Sequence, residues 1–218
     1  MLQKSDHLKP DHQLLYQTHS PFARKVLVFA IETGLQNRLE VIHHETSPTN
    51  RNDAIFAANP LGKVPVLILP DGMTLYDSLV ICDYLDRLHG GRKLIPHKMP
   101  KRLHALRLHA LAQGMCDAGV LYRWETARRP EPLRYPPLAV GQKAKLIETF
   151  DYLEAHLDPQ HPITIGHIAL ATGLDWIAFR DLVDFKTGRP TLRKWYEDFC
   201  ARPSMTRTTF SGQTHDQA

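Results

Sequence analysis

Strand-like patterns occur only in the first part of this 218-residue chain. There, hydrophobic periodicity predicts the order β-α-β-α-β-β-α within about eighty residues. The strand candidates are QLLYQ, RLEVIHH, VPVLILP and MTLY. No convincing strand follows the segment GGRKLIPHKMP, and long helical patterns replace it. The sequence therefore predicts an α/β domain followed by an all-helical one, with the boundary near residues 90–100.

The connections in the first part predict how its strands run. A helical crossover joins the first two strands, which favours a parallel pair. The short Asp71–Gly72 turn joins the last two, which must then lie antiparallel. We expect a loose extension at residues 1–11, the α/β domain at 12–91, a linker at 92–98 and the helical domain at 99–218.

The helical domain is predicted to begin with one long helix, Lys101 to Thr126, that carries Leu103, Leu106 and Ala110 on its apolar face. A later helix, IGHIALATGLDWIAF, is apolar nearly all round, and this pattern predicts burial. Thr164 is placed to cap this helix at its N-terminus.

Composition excludes several function classes. The chain is 43% hydrophobic and 23% charged, as in ordinary globular proteins. No apolar run approaches the ~18 residues of a membrane helix, and the polar start has no signal-peptide core. We therefore expect a cytoplasmic protein that does not enter a membrane. The net charge of +4 is mild and the basic residues are scattered, so nucleic acid is not an expected partner.

Cysteine and histidine spacing predicts neither disulfides nor a metal. The three cysteines, Cys82, Cys116 and Cys200, lie far apart and form no CxxC motif. The thirteen histidines include no HExxH. Solvated or core-edge histidines are the interpretation we favour.

The stretch QTHSPFARKV, residues 17–26, joins the first predicted strand to the first helix. Ser20 or Thr18 can cap that helix, which is a structural role. A helix N-terminus also collects free N–H groups and partial positive charge, so a hydroxyl there can equally act in chemistry on an anion. The junction alone leaves both interpretations open.

Four further sequence motifs follow this junction along the chain: NPLGKVPVL, YDSLVICDYL, ITIGHIALATGLDWI and RPSM. In this order and spacing the chain, over about residues 13–210, resembles the glutathione S-transferase superfamily. It looks most like bacterial members with a serine at the junction, near the zeta and omega branches. The resemblance implies an N-terminal thioredoxin-like domain (βαβαββα), a C-terminal α-helical bundle and a homodimer.

The resemblance also implies the site. Ser20 would donate a hydrogen bond to the thiolate of glutathione, with Thr18 and His19 as alternative donors. Pro65 would be cis, leaving the Val64 N–H and C=O to pair with the backbone of an extended peptide, as an added strand does.

Three other residues would hold the ends of the peptide. Ser78, at a helix start, could bind the γ-glutamyl carboxylate. Asp77 could bind its ammonium group or serve only as a favourable N-terminal acid. Lys63 could face a ligand carboxylate or be an exposed turn lysine.

The implied function is a glutathione transferase in which the bound thiolate attacks a small electrophile, with glutathione as co-substrate and no metal. A glutathione-dependent isomerase of the maleylacetoacetate kind is an alternative, although THS stands where the zeta type has SSC. A non-catalytic glutathione-binding scaffold is another, and a module that binds partners through ARRPEPLRYPP is a third. A thiol transferase of the omega kind would need a cysteine where this chain has Ser20.

Two points concern the helical domain. Tyr122 and Trp124 are candidates for the wall of the electrophile site, although packing in the core is the interpretation we favour. The buried helix departs from the family because His167 follows Thr164 where an acid is usual. Without a carboxylate, we expect no reciprocal capping box there.

Overall fold

The computed structural model describes residues 10–210. The predicted extension at residues 1–11 therefore falls, up to residue 9, outside the described residues. The chain divides between Lys93 and Leu94 into two compact units. Among the described residues, no helix is long and apolar enough to cross a membrane.

The first unit contains a four-stranded sheet and three helices. The strands are β1 (His12–Tyr16), β2 (Leu39–His43), β3 (Val66–Ile68) and β4 (Thr74–Leu75). The helices are α1 (Pro21–Glu32), α2 (Asp53–Ala58) and α3 (Ser78–Arg87).

The sheet has the order β2-β1-β3-β4. β1 and β2 run parallel, while β3 is antiparallel to both β1 and β4. The predicted parallel pair and the predicted antiparallel pair are both confirmed. This mixed sheet with its helices is a thioredoxin-like arrangement.

The second unit is mostly helical. Its helices are α4 (Met99–Arg123), α5 (Pro136–His156), α6 (Ile165–Phe179), α7 (Pro190–Cys200) and the short α8 (Pro203–Thr206). After Arg123 the chain continues as a π-helical turn, Trp124–Arg128, and then a 3₁₀ turn, Glu131–Leu133. Every residue of α6 from Ile165 to Leu174 is buried, as its apolar sequence predicts.

The predicted apolar face of α4 is wrong. Leu103 is 58% exposed and Ala110 is also exposed. The buried face consists mainly of small side chains, such as Ala105 and Ala112, because α4 and α6 approach closely. A Cβ on Gly166 of α6 would come within 2.7 Å of the Ala105 carbonyl oxygen. Small residues allow this approach but give a weak hydrophobic signal.

The expectation that α6 lacks a reciprocal capping box is also wrong. The main-chain N–H of Thr164 donates to Nδ1 of His167 at 3.1 Å, and the Thr164 hydroxyl lies 2.8 Å from the same nitrogen. The two residues form a capping box in which an imidazole replaces the carboxylate.

Candidate functional site

Three segments of the first unit meet at one end of the sheet. In the antiparallel pairs, Leu15 near the end of β1 lies opposite Val66 at the start of β3, and Leu67 lies opposite Leu75 at the end of β4. The residues after β1, before β3 and after β4 therefore lie at the same end. These segments carry the predicted residues 20, 63–65 and 77–78.

Ser20 is the N-cap of α1. Its Oγ accepts a hydrogen bond from the Ala23 N–H at 3.2 Å, and the side chain is 8% exposed. A hydroxyl has one donor and two acceptor sites, so this bond leaves the O–H proton for another partner. Within residues 10–210 that proton has no acceptor. The Ser20 hydroxyl can therefore cap α1 and donate a hydrogen bond to a ligand at the same time.

The two neighbours of Ser20 are placed differently. Thr18 Oγ1 lies 3.2 Å from Nδ1 of His43, at the end of β2, so its hydroxyl is engaged across the sheet. His19 is half-buried. Neither residue caps α1.

Val64 and Pro65 immediately precede β3. The peptide bond between them is cis, as the resemblance implies. The Val64 side chain packs against Leu15, Ile55 and Val66 in the core. Its N–H and C=O form no hydrogen bond with any residue that the structure describes. Packing of the Val64 side chain thus holds this segment in place, while its backbone N–H and C=O are available to bond to a ligand.

Asn59 anchors the loop that leads to Val64, and sequence reasoning missed it. Its side chain is 2% exposed, donates to the Lys63 carbonyl at 2.9 Å and accepts from the Leu61 N–H at 3.0 Å. Lys63 itself is exposed. The turn motif NPLGK contained the signal, because a buried asparagine commonly bonds to the backbone of its own turn.

Asp77 and Ser78 form the start of α3. Asp77 is its N-cap: Oδ1 accepts from the Leu79 N–H at 3.0 Å, and the residue is exposed. The Tyr76–Asp77 peptide bond is cis. Ser78 is 1% exposed, and its hydroxyl has no hydrogen-bond partner between residues 10 and 210. The helix end therefore offers a ligand the exposed Asp77 carboxylate and a Ser78 hydroxyl that is not engaged by the described residues.

Two buried cations on α1 had no sequence signal. Arg24 is 1% and Lys25 is 2% exposed, one turn beyond Ser20. Burial raises the pKa of the Tyr16 phenol to about 12, and the charge of Arg24 opposes that rise. Burial likewise raises the pKa of the Cys82 thiol to about 12, against the charge of Lys25. The charge of Arg24 thus acts on a side chain at the end of β1, and that of Lys25 on a side chain of α3.

The candidates in the helical unit are only partly buried. Tyr122 and Trp124 are both half-buried, and the Arg128 guanidinium lies 4.6 Å from the centre of the Trp124 ring. Glu125 is buried and accepts from the Tyr135 N–H at 2.8 Å, which anchors the proline-rich segment. Among the described residues, no group of three His, Cys, Asp or Glu side chains is arranged to hold a metal.

The sheet, the capped helix and the loop before β3 define a thioredoxin-like domain, which an all-helical unit follows. Residues 19–88 match the glutathione S-transferase N-terminal domain family. The chain is 30% identical over 194 residues to the uncharacterised GST-like protein YibF of Escherichia coli strain K12, covering 87% of this chain and 94% of that protein. The chain therefore belongs to the glutathione S-transferase superfamily.

Two further comparisons agree. Human glutathione S-transferase omega-2 is 27% identical over 184 residues, covering 80% of this chain and 73% of that protein. A crystal structure of a glutathione transferase family member from Pseudomonas fluorescens Pf-5, with bound glutathione, is 38% identical. It superposes with a TM-score of 0.89 and covers 92% of this chain and 100% of that one.

Proposed function

We propose that this protein is a glutathione transferase that binds glutathione at the shared end of its sheet. Ser20 stabilises the thiolate, which attacks a small electrophile. The observation that carries this proposal is the hydrogen bonding of Ser20: its Oγ accepts from Ala23, while its O–H has no acceptor among the described residues. The hydroxyl is therefore oriented by the helix and retains a proton to donate.

The energetics of thiolate formation fit this geometry. A free thiol titrates near pH ~8.5, and lowering its pKa by one unit takes about 1.4 kcal/mol of preference for the anion. A charge-assisted hydrogen bond and the helix N-terminus can together supply about one to two units. The Ala23 N–H bond polarises the Ser20 hydroxyl and makes it a better donor.

The remaining site residues would hold the peptide itself. The Val64 N–H and C=O pair with the backbone of glutathione as an added strand would. Asp77 binds the γ-glutamyl ammonium group, and the α3 N-terminus with Ser78 binds its carboxylate. Lys63 is exposed and binds the carboxylate at the other end of the peptide.

The relatives support glutathione as co-substrate. The serine at residue 20 distinguishes transfer to an electrophile from thiol exchange. The crystal structure of the Pseudomonas fluorescens protein contains bound glutathione. A mixed disulfide with glutathione needs an accessible protein thiol at the site. Ser20 supplies none, and Cys82 is fully buried with a raised pKa. Addition or substitution at an electrophile therefore fits this site better than thiol exchange.

We also propose a cytoplasmic homodimer. The support for dimerisation is that α4 exposes large apolar side chains: Met99 is 60%, Leu103 is 58% and Leu121 is 46% exposed. Met99 and Leu103 are four residues apart and so lie on the same face of α4, and a contiguous exposed apolar patch marks a candidate interface. Light scattering coupled to size exclusion tests this, since a mass near one chain would contradict it.

The test of the proposed function is a pH titration of glutathione bound to the purified protein, followed by the ultraviolet absorbance of the thiolate. We expect the thiol pKa of bound glutathione to lie at least one unit below that of free glutathione. Binding without any such shift would instead indicate a carrier or scaffold. Absence of binding would refute the site as well as the reaction.

A further inference from the structure

The helical unit contains a cavity that shares no residue with the candidate glutathione site. It lies among α4, α5, the loop before α6 and the first turn of α6, and its volume is about 130 Å³. Its apolar lining consists of four leucines, Leu108, Leu111, Leu153 and Leu157. A leucine-rich cavity of about 150 Å³ holds one benzene ring, so this one suits a single six-membered ring whose substituents reach the opening.

Aromatic rings form much of the remaining lining. The rings of His104 and His161 lie 5.1 Å apart at 24°, and those of His161 and His167 lie 5.2 Å apart at 17°. Tyr152 and His156 stack at 4.3 Å and 15°. All five residues line the cavity. Rings stacked on one another cover each other's inner faces, so a ligand can contact only their outer faces and edges; such contacts favour a planar aromatic ligand over an aliphatic one.

The cavity lining contains a cation, Arg107, that can pair with an anionic group. Arg107 is exposed at the cavity and makes no hydrogen bond or ion pair with any residue in the described part of the chain. A guanidinium presents a planar fork that matches a carboxylate in two parallel hydrogen bonds. The lining also includes Asp158, whose Oδ1 accepts from the Gln160 N–H at 2.9 Å within its own turn.

Two imidazoles supply acceptors. Nδ1 of His156 lies 2.8 Å from the Tyr152 carbonyl oxygen, and Nδ1 of His161 lies 2.8 Å from that of Pro162. A carbonyl only accepts, so each Nδ1 carries the proton and each neutral ring has Nε2 as an acceptor. A hydroxyl group on a ligand can donate to such a nitrogen.

We propose that this cavity is a binding site for a monocyclic aromatic carboxylate that bears a ring hydroxyl. The ligand ring contacts the leucines and the edges and outer faces of the stacked rings, the carboxylate pairs with Arg107, and the hydroxyl donates to Nε2 of His156 or His161. The proposal does not depend on the glutathione site, because the two share no residue.

Isothermal titration with 4-hydroxybenzoate tests the site, with and without saturating glutathione. We expect binding in both cases, and at least tenfold weaker binding of cyclohexanecarboxylate, which lacks the flat ring, and of phenol, which lacks the carboxylate. No heat with 4-hydroxybenzoate, or equal affinity for cyclohexanecarboxylate, would overturn the proposal. Loss of binding with glutathione present would place the ligand at the other site and overturn it as well.

Variants locate the ligand in the cavity. We expect Arg107→Gln to weaken 4-hydroxybenzoate binding about tenfold, equivalent to about 1.4 kcal/mol, and His161→Leu to weaken it independently. Lys101→Gln is the matched control, since it removes a charge from the same helix but does not line the cavity. Affinity unchanged in both Arg107→Gln and His161→Leu would show that the ligand binds elsewhere.

Discussion

The main-chain N–H of Thr164 donates to Nδ1 of His167 at 3.1 Å. Because an N–H can only donate, this ring nitrogen is the acceptor and the neutral ring carries its proton on Nε2. Nδ1 therefore does what a carboxylate oxygen does at the third position of a capping box. The cap is buried, with Thr164 and His167 each 2% exposed. Loss of this acceptor therefore leaves the Thr164 N–H buried without a hydrogen-bond partner, which is destabilising.

We predict that His167→Ala lowers the free energy of unfolding by about 1 kcal/mol or more, as the loss of a helix cap does. His167→Asp should recover most of this loss, because a carboxylate can accept the same N–H. His161→Ala is the control, since it removes the ring that stacks on His167 but keeps the hydrogen bond between Thr164 and His167. Urea unfolding measures all three. If His167→Asp were as unstable as His167→Ala, the cap would not be the cause.

The sequence predicts the strands and helices because each follows a clear period, and turn chemistry at Asp71–Gly72 fixes the antiparallel pair. It fails for the buried face of α4, because a helix packed closely through glycine and alanine carries little hydrophobic contrast. It also fails at His167, because the capping rule considers carboxylates and amides, while an imidazole nitrogen has the same reach here.

For the candidate site, the order of the motifs predicts which three segments carry the residues. Whether these segments lie close together depends on the register in which the strands pair. The opposition of Leu15 to Val66 and of Leu67 to Leu75 brings the segments to one end, and no local pattern contains this information. The buried Arg24 and Lys25 were missed for a related reason. Charged residues read as exposed unless the tertiary contacts around them are known.

We predict that Ser20→Ala raises the thiol pKa of bound glutathione by about one unit, because the thiolate loses a charge-assisted hydrogen bond. The same variant should lose about 1 kcal/mol of stability with the α1 cap. Thr18→Val is the matched control, since the Thr18 hydroxyl lies against His43 and should leave the thiol pKa unchanged. A pKa that moves in Thr18→Val but not in Ser20→Ala would assign the donor to Thr18.

A pH-dependent contribution to stability is expected from Asp11. The hydrogen bond from Arg38 lowers the Asp11 pKa from 3.8 to about 2; burial opposes this change, and His12 adds to it. Because the folded pKa lies below the unfolded one, this contribution is present above about pH 4 and is lost as the pH falls through 2. The Asp11 side chain is 39% exposed, so screening limits the contribution to about 1 kcal/mol.

We therefore predict that Asp11→Asn lowers the melting temperature at pH 6 by about 2–4 °C at most and flattens its fall between pH 4 and pH 2. Asp53→Asn is the control, since Asp53 pairs with Arg51 where both side chains are exposed. Differential scanning calorimetry across this range measures both variants. An unaltered pH profile in Asp11→Asn would rule out the pairing with Arg38 as its source.

We predict opposite effects of alanine substitution at two glycines, one of which lies where α4 and α6 pack closely. A Cβ on Gly166 would lie 2.7 Å from both the Ala105 carbonyl oxygen and the Leu108 Cβ, neither of which can move without shifting α4. Gly166→Ala should therefore cost about 1–3 kcal/mol by overpacking. Gly114, exposed within α4, has nothing within 4 Å, so Gly114→Ala should stabilise by about 0.5–1 kcal/mol through helix propensity. Urea unfolding of the two variants measures both signs, and stabilisation by Gly166→Ala would mean that the helices do not pack this closely.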